Sequence, residues 1–491
     1  MKLYLRGHNE KYAAEQIMLQ MFPEEKPQFV DSPPAPEEKH VRVGLGAHRA
    51  TAAVYENGVR HFGAAQIKLC GALSDTERLR ARRRAIKNAV FRAAQKARPA
   101  EAPWGSAAGI RPASIVTKML LAGMDRREAA REFRRSYFVS KDRTALALSC
   151  AGAELEARAG FSPRDVAVYL GVPFCPTRCA YCSFVSLGVE KSLKLLPSFA
   201  DALLLEIAAL GAALRGTGAV IFALYIGGGT PTTLSDSQLD IILTALREHL
   251  DLSSLREFTV EAGRPDTITE SNAALLRAHG AGRVSVNPQT FSDAVLTDIG
   301  RRHTVADTYR AYETVRAAGF DAVNMDLIAG LPGDTPAGFA RSLDLALELA
   351  PENITVHSLS RKRGSRVTTE ETPVPDGGSV ARMLDYSIAR LSESSFSPYY
   401  LYRQKFTSGG FENTGWTKPG HVCLYNIAMM DEAATVLSLG GGGVTKLLRR
   451  DSGKITRIFN PKYPYEYIER LGEITARKAD LRKFFSEELG V

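Results

Sequence analysis

Cysteine is scarce in this chain, six in 491 residues, too few for a disulfide-stapled scaffold of this size. No unbroken run of about 18 apolar residues occurs, so the sequence predicts no membrane span. The opening stretch MKLYLRGHNEKYAAEQ has no apolar core of the kind that marks a secretory leader. Zinc-finger spacing and RNP-type aromatic motifs are also missing. That leaves the net charge of +9 as the one pointer to nucleic acid. Much of the excess falls between Arg78 and Arg98, where Leu79, Ile86, Val90 and Ala97 share one helical face. The arginines are then the solvated side of an amphipathic helix. We expect no nucleic-acid partner; a basic chain equally suits a polyanionic small substrate.

What cysteine there is, the chain concentrates. Cys175, Cys179 and Cys182 lie in GVPFCPTRCAYCSF. The spacing C-x3-C-x2-C fits one loop wrapped around three corners of a cubane iron–sulfur cluster, and soft thiolates suit such a cluster. Clusters of this type usually take four cysteines; three leave one iron open to another ligand. In one large enzyme class that ligand is S-adenosylmethionine (SAM). A zinc site is the competing reading, but zinc favours a second cysteine pair elsewhere, and none is present. Cys70, Cys150 and Cys423 read as buried or incidental. Thiols committed to one loop predict a reducing, cytoplasmic home.

The chain is long enough for two or three domains, and its patterning divides into four segments. Residues 1–75 read as a small α+β unit, with two strand-like runs around a Tyr-Glu-Asn-Gly turn in HVRVGLGAHRATAAVYENGVRHFGAA. Residues 76–160 are a basic helical region, interrupted at APWGSAAGIRPAS by either a functional loop or a helix–helix connection. Residues 161–360 alternate six short β-branched runs with helical stretches. That is the pattern of a parallel sheet and a partial (β/α)6 barrel, an α/β fold. Residues 361–491 form a mixed C-terminal domain placed to cover substrate.

In such barrels chemistry sits on loops at the strand C-terminal ends, and the cysteine loop follows the first strand directly. Later strand ends offer groups for an amino acid joined to a nucleoside. Gly227-Gly228-Gly229-Thr230 ends the second strand and lets backbone approach a ligand closely. Glu261 ends the third, Gln289 the fourth, and Arg301 lies twelve residues further on. A guanidinium is the natural partner of a methionine carboxylate. Asp326 ends the fifth strand, a carboxylate suited to ribose hydroxyls, and Ser360 lies just past the sixth.

The cysteine loop, IGGGTPT, RVSVNPQTFSDAVLTDIGRRHT and NMDLIAGLPGDT resemble the radical-SAM oxygen-independent coproporphyrinogen III oxidase (dehydrogenase) family, over roughly residues 165–360. PWGSAAGIRP, PENITVHSLSRKRGS and ENTGWTKPGHVCLYNIAMM are similar to its Z-type branch. The resemblance implies a [4Fe-4S] cluster on Cys175, Cys179 and Cys182. It also implies one or two SAM molecules lined by Tyr169, Tyr181, Gly228, Gly229, Thr230, Glu261, Gln289, Arg301, Asp326 and Ser360. The implied activity is oxygen-independent oxidative decarboxylation of coproporphyrinogen III to protoporphyrinogen IX, a step of haem biosynthesis. It would be fed by a reducing electron-donor protein of flavodoxin or ferredoxin type. No catalytic side chain is implied beyond the cluster ligands.

A tetrapyrrole with four carboxylates calls for cations. Arg361, Lys362, Arg363 and Arg366, with Arg403, Lys405 and Lys418 in the tail, are the candidates; Arg361, Arg363 and Arg403 lead. Two positions depart from the best-known members of the family. Those carry a histidine where this chain has Gly171 and an extra cysteine where it has Phe184. Two alternatives stay open on the same scaffold. One is a haem-binding chaperone, with His357, His421 or Cys423 as axial ligand. The other is a different radical-SAM reaction on a tetrapyrrole.

Overall fold

The computed structural model describes residues 1–68, 74–99, 102–109, 111–182, 192–404 and 407–490. Cys70, Phe184 and Lys405 lie outside these residues. The chain divides into two compact units, Met1–Ser149 with Ser408–Phe411 and Cys150–Thr407 with Glu412–Val491.

The first unit is built on five strands: β1 (Lys2–Arg6), β2 (Gln28–Val30), β3 (His40–Leu45), β4 (Arg49–Glu56) and β5 (Val59–Gln66). Their spatial order is β2-β1-β3-β4-β5. The expected hairpin is β4–β5. Glu56 pairs with Val59, and Asn57 and Gly58 between them both take positive φ, 54° and 73°. Two left-handed residues are what a type I′ turn requires. Helix Asp75–Ala97 buries Ile86 and Val90 against this sheet with Leu3, Val41 and Val54, while Arg78, Arg80, Arg82 and Arg83 stay exposed. Residue 75 is therefore not a boundary between compact units, because the helix needs the sheet to cover its apolar face. Within APWGSAAGIRPAS, Trp104 is buried. A Cβ on Gly105 would meet the Tyr137 carbonyl oxygen at 2.1 Å, so that turn is a packing connection.

The second unit holds one sheet of eleven strands. Six are parallel and adjacent in chain order: β6 (Asp165–Val172), β7 (Val220–Gly228), β8 (Glu257–Val260), β9 (Arg283–Ser285), β10 (Ala322–Ala329) and β11 (Asn353–Ser358). This is the expected (β/α)6 core. Its helices start sharply: Ser235, Thr269 and Thr304 each form a reciprocal cap with the third residue of the helix that follows.

The tail corrects the four-segment division. Residues 361–491 do not form a separate domain over the barrel; they extend its sheet at both edges. β12 (Ser397–Arg403) and β13 (Glu412–Thr417) add antiparallel strands beside β11. β14 (Thr435–Gly440) adds a parallel strand beside β6, followed by antiparallel β15 (Val444–Leu448) and β16 (Ile455–Phe459). An open six-strand arc leaves two rows of unpaired backbone groups, and these strands satisfy them.

β14 sets Gly440 opposite Gly171. A Cβ on Gly171 would lie 2.5 Å from the Gly441 carbonyl oxygen, so the tail leaves no room for a side chain at this position. Among the described residues one helix, Leu196–Leu214, is long and apolar enough to cross a membrane by length and composition, although the chain has no unbroken apolar run of that length. Its packing is that of a core helix. Buried Glu206 accepts hydrogen bonds from Gly440 N (2.7 Å), Tyr467 OH (2.6 Å) and Asn460 Nδ2 (2.9 Å) and pairs with Lys478 Nζ at 2.9 Å. A buried carboxylate satisfied by four donors belongs to a protein interior.

Candidate active site

One cavity of about 280 Å³ opens at the C-terminal ends of the parallel strands. Its wall contains all three loop cysteines together with Tyr181, Gly228, Gly229, Thr230, Glu261, Gln289, Arg301, Asp326 and Ser360. Residues spread over 186 positions of sequence thus converge on one space. A larger hollow of about 620 Å³, lined by residues from Arg247 to Gly280, contains none of them.

The cysteine loop is laced to the glycine turn. Gly229 N donates to Val172 O (2.8 Å) and Thr230 N to Phe174 O (2.7 Å). Thr230 Oγ1 stands 3.4 Å from Cys175 Sγ. Burial pushes the Cys175 thiol up to about 11, so this sulfur would become a thiolate by binding metal rather than by its surroundings. Among the described residues no three His, Cys, Asp or Glu side chains converge closely enough to hold a single metal ion.

The polar wall has hydrogen-bonding capacity facing the cavity. Gln289 adopts φ 69°, a strained conformation for a residue with a side chain. Two backbone bonds pin it, Gln289 N to Asp326 O (2.9 Å) and Ile328 N to Gln289 O (3.0 Å). Its Oε1 and Asn287 Oδ1 are buried without a hydrogen-bond partner. Arg301 Nη1 donates to Asn287 O (2.6 Å), while its Nε has no partner. Burial works against the Arg301 charge, but Tyr181 and Cys179 beside it hold its pKa above the ordinary arginine value. Buried acceptors and a buried donor around a polar cavity are the mark of a site shaped for a polar ligand. The donor set fits both an iron–sulfur cluster and SAM.

Asp326 lies within β10, three residues short of its end, rather than at the end as expected. The strand is longer than its sequence suggests because β11 pairs with it as far as Ala329. Asn324 Nδ2 donates to Asp326 Oδ1 (2.8 Å), and His357 Nε2 lies 3.6 Å from Oδ2. Burial opposes the Asp326 charge, but His357 and Asn324 prevail and keep its pKa low. Tyr169 does not line the cavity. It stacks with Tyr225 and Tyr425 (centroids 6.2 and 5.9 Å) below the glycine turn.

Glu261 carries the most consequential shift. Tyr225 OH donates to its Oε1 (2.6 Å) and Gly228 N to its Oε2 (3.2 Å). Burial raises its pKa to about 7, with Asp326 adding to the rise. A carboxyl raised by folding contributes stability that is present below its ordinary value and lost as pH rises through the folded value. In the cofactor-free protein, Glu261 is therefore expected to cost up to about 3 kcal/mol between roughly pH 4.5 and 7. Urea unfolding of wild type and Glu261→Gln checks this. The stability difference should move in favour of the glutamine variant as pH rises from about 4.5 to 7 and level off above that, and parallel profiles would contradict it.

The substrate candidates fare differently. Arg361 and Arg363 are exposed and outside the cavity wall. Arg403 is buried opposite Glu412, also outside it. Lys418 donates instead to Ala350 O at 2.6 Å. Lys362 does line the cavity, on a turn held by Lys362 N donating to Ser360 O (3.0 Å) and Ser365 N to Lys362 O (2.9 Å). Of the haem-ligand candidates, only His357 is in the wall. Cys423 bonds Glu257 at the start of β8 (3.2 Å), and His421 O accepts from Arg283 at the start of β9 (2.9 Å). Both belong to the opposite end of the strands. Sequence reading missed Asn287, two residues before Gln289, and Arg264, three residues after Glu261.

Residues 169–346 match the family described as the radical SAM superfamily. The chain is 38% identical over 380 residues to the oxygen-independent coproporphyrinogen-III oxidase-like protein HemZ of Bacillus subtilis, covering 76% of each. It is 30% identical over 349 residues to the heme chaperone HemW of Mycobacterium tuberculosis, covering 69% of this chain and 83% of that one. The solved structure of Escherichia coli coproporphyrinogen III oxidase (HemN), described as a radical SAM enzyme, shares the fold. The TM-score is 0.52 at 24% identity, over 65% of this chain and 72% of that one.

Proposed function

Because this chain belongs to the radical-SAM superfamily, among the oxygen-independent coproporphyrinogen-III oxidase-like proteins, we propose that it oxidatively decarboxylates coproporphyrinogen III to protoporphyrinogen IX without oxygen. The observation that carries this is the single cavity joining Cys175, Cys179 and Cys182 to Gly228, Gln289, Arg301 and Asp326. The three cysteines would hold a [4Fe-4S] cluster. When bound, the cluster and SAM supply the means of removing a hydrogen atom from an unactivated substrate carbon.

The protein's part is orientation. Arg301 offers a buried guanidinium to a carboxylate. Asp326, kept ionised, offers two acceptor oxygens to hydroxyls. Gln289 and the Gly228–Gly229 backbone provide donors and acceptors at close range. Lys362 replaces Arg361 and Arg363 as the cation proposed for a substrate propionate; burial lowers its pKa, and an anion beside it would restore its charge. The chain needs no side-chain nucleophile for this chemistry. An external one-electron donor protein is required.

The similarity to HemW, with His357 in the cavity wall, supports a second reading, a haem-binding chaperone. One anaerobic experiment separates the two. The reconstituted protein is given reductant, SAM and coproporphyrinogen III, and 5′-deoxyadenosine and vinyl porphyrin are measured. Both products are expected. Deoxyadenosine without vinyl product would overturn the decarboxylation while leaving radical chemistry standing. Neither product, with one haem bound per chain, would favour the chaperone.

A further inference from the structure

We propose that Arg264 is a positioning residue that sets the reduction potential of the cluster, a buried cation aimed at Cys179; this rests on the cluster assignment above. The Arg264 side chain is 3% exposed. Its Nη1 donates to Thr177 Oγ1 (2.7 Å), inside the cysteine loop, and stands 3.9 Å from Cys179 Sγ. The other edge of the fork is occupied, with Nε and Nη2 donating to the two oxygens of Asp266 at 2.9 and 2.8 Å. One face of the guanidinium therefore meets its counter-ion and the other meets a cluster ligand.

The two charges do not cancel at the cluster. Asp266 is 24% exposed, so water screens it more than it screens Arg264. Asp266 also sits behind Arg264 as seen from Cys179, since Arg264 spans the two. Reducing a [4Fe-4S] cluster adds one electron from the external donor and breaks no bond. A nearby positive charge stabilises the more negative, reduced form. Net charge and hydrogen bonds to the sulfurs are among the levers that set such potentials.

The arrangement is local and rigid. Arg264 and Asp266 flank Pro265 in a short turn that begins four residues after β8 ends, closed by Thr267 N donating to Arg264 O at 2.9 Å. Proline fixes one dihedral of that turn, and the bond to Thr177 fixes the pair against the cysteine loop. Thr230 Oγ1, beside Cys175 Sγ, adds a weaker donor with the same sign of effect.

The test is an anaerobic redox titration followed by electron paramagnetic resonance, with iron and sulfide content measured in parallel. Wild type, Arg264→Gln, Arg264→Lys and Asp266→Asn are compared as full chains. Arg264→Gln is expected to lower the midpoint so that the reduction equilibrium falls about tenfold, close to 59 mV for a one-electron couple. Asp266→Asn, which removes the screening anion, should raise it. Arg264→Lys keeps the charge and should stay near wild type. Loss of packing alone cannot produce opposite signs.

Midpoints that do not move at full iron content, or that move in the same direction for the glutamine and asparagine variants, would overturn the proposal. If Arg264→Gln fails to retain iron, Asp266→Asn decides, because an unchanged or lowered midpoint there overturns it as well. The underlying function fails separately. That failure would be a wild-type chain that takes up no cluster, or one that cleaves no SAM when dithionite supplies the electrons.

Discussion

Cys179→Ser should abolish both the cluster and SAM cleavage, taking deoxyadenosine formation below about one hundredth of wild type. Three thiolates are the fewest that hold a cubane with one open iron, and losing one leaves two irons without protein ligands. Cys179 is the most enclosed of the three, buried and flanked by Arg264 Nη1 at 3.9 Å. Among the described residues no other cysteine is placed to substitute. Cys423 bonds Glu257 at the opposite end of the strands, and Cys150 is buried in helix Lys141–Ala159. Cys423→Ser keeps a donor for Glu257 and should retain full iron content, which separates loss of a ligand from loss of a thiol. Iron and sulfide analysis with deoxyadenosine quantification checks both. A Cys179→Ser protein with a complete cluster and full SAM cleavage would end the cluster assignment.

The core of the fold was legible because its signals are local. Six β-branched runs separated by helical periodicity lead to six parallel strands, and a loop after each strand is where side chains can leave the packed interior. Cys175, Gly228, Glu261 and Gln289 could be placed by that rule before any contact was known. The rule fails where long-range pairing decides. Asp326 looked like a strand end, yet pairing with β11 carries β10 three residues further. The tail looked like a separate domain because nothing in β13 or β14 announces which edge of a distant sheet it will join.

Cations were the hardest to place. Arg361, Lys362 and Arg363 are adjacent and alike in charge, and only backbone direction puts Lys362 in the cavity wall and leaves the arginines exposed. Arg264 carried no signal as a single residue. Its meaning lies in being fixed by Asp266 against Thr177, 87 residues earlier.

Gly229→Ala should be nearly as damaging as loss of a cysteine, although it adds only one methyl group. A Cβ at residue 229 would meet Phe174 O at 2.3 Å, Phe174 C at 2.8 Å and Phe174 N at 2.9 Å. All three are backbone atoms, so no rotamer change relieves the overlap. The two segments cannot separate freely, because Gly229 N is bonded to Val172 O and Thr230 N to Phe174 O. Relief must come from shifting Phe174, and Cys175 is the next residue. A displacement of about 1 Å at a reacting geometry can cost on the order of a hundredfold in rate. The same shift pulls Cys175 Sγ away from Thr230 Oγ1, its hydrogen-bonding neighbour at 3.4 Å. We expect SAM cleavage to fall at least about a hundredfold, with partial loss of iron. Gly472→Ala, at a position where an added Cβ meets nothing within 4 Å, should leave both unchanged. Full iron content and wild-type turnover in Gly229→Ala would mean that the cysteine loop tolerates a shift at Phe174, and that the glycine turn does not set its position.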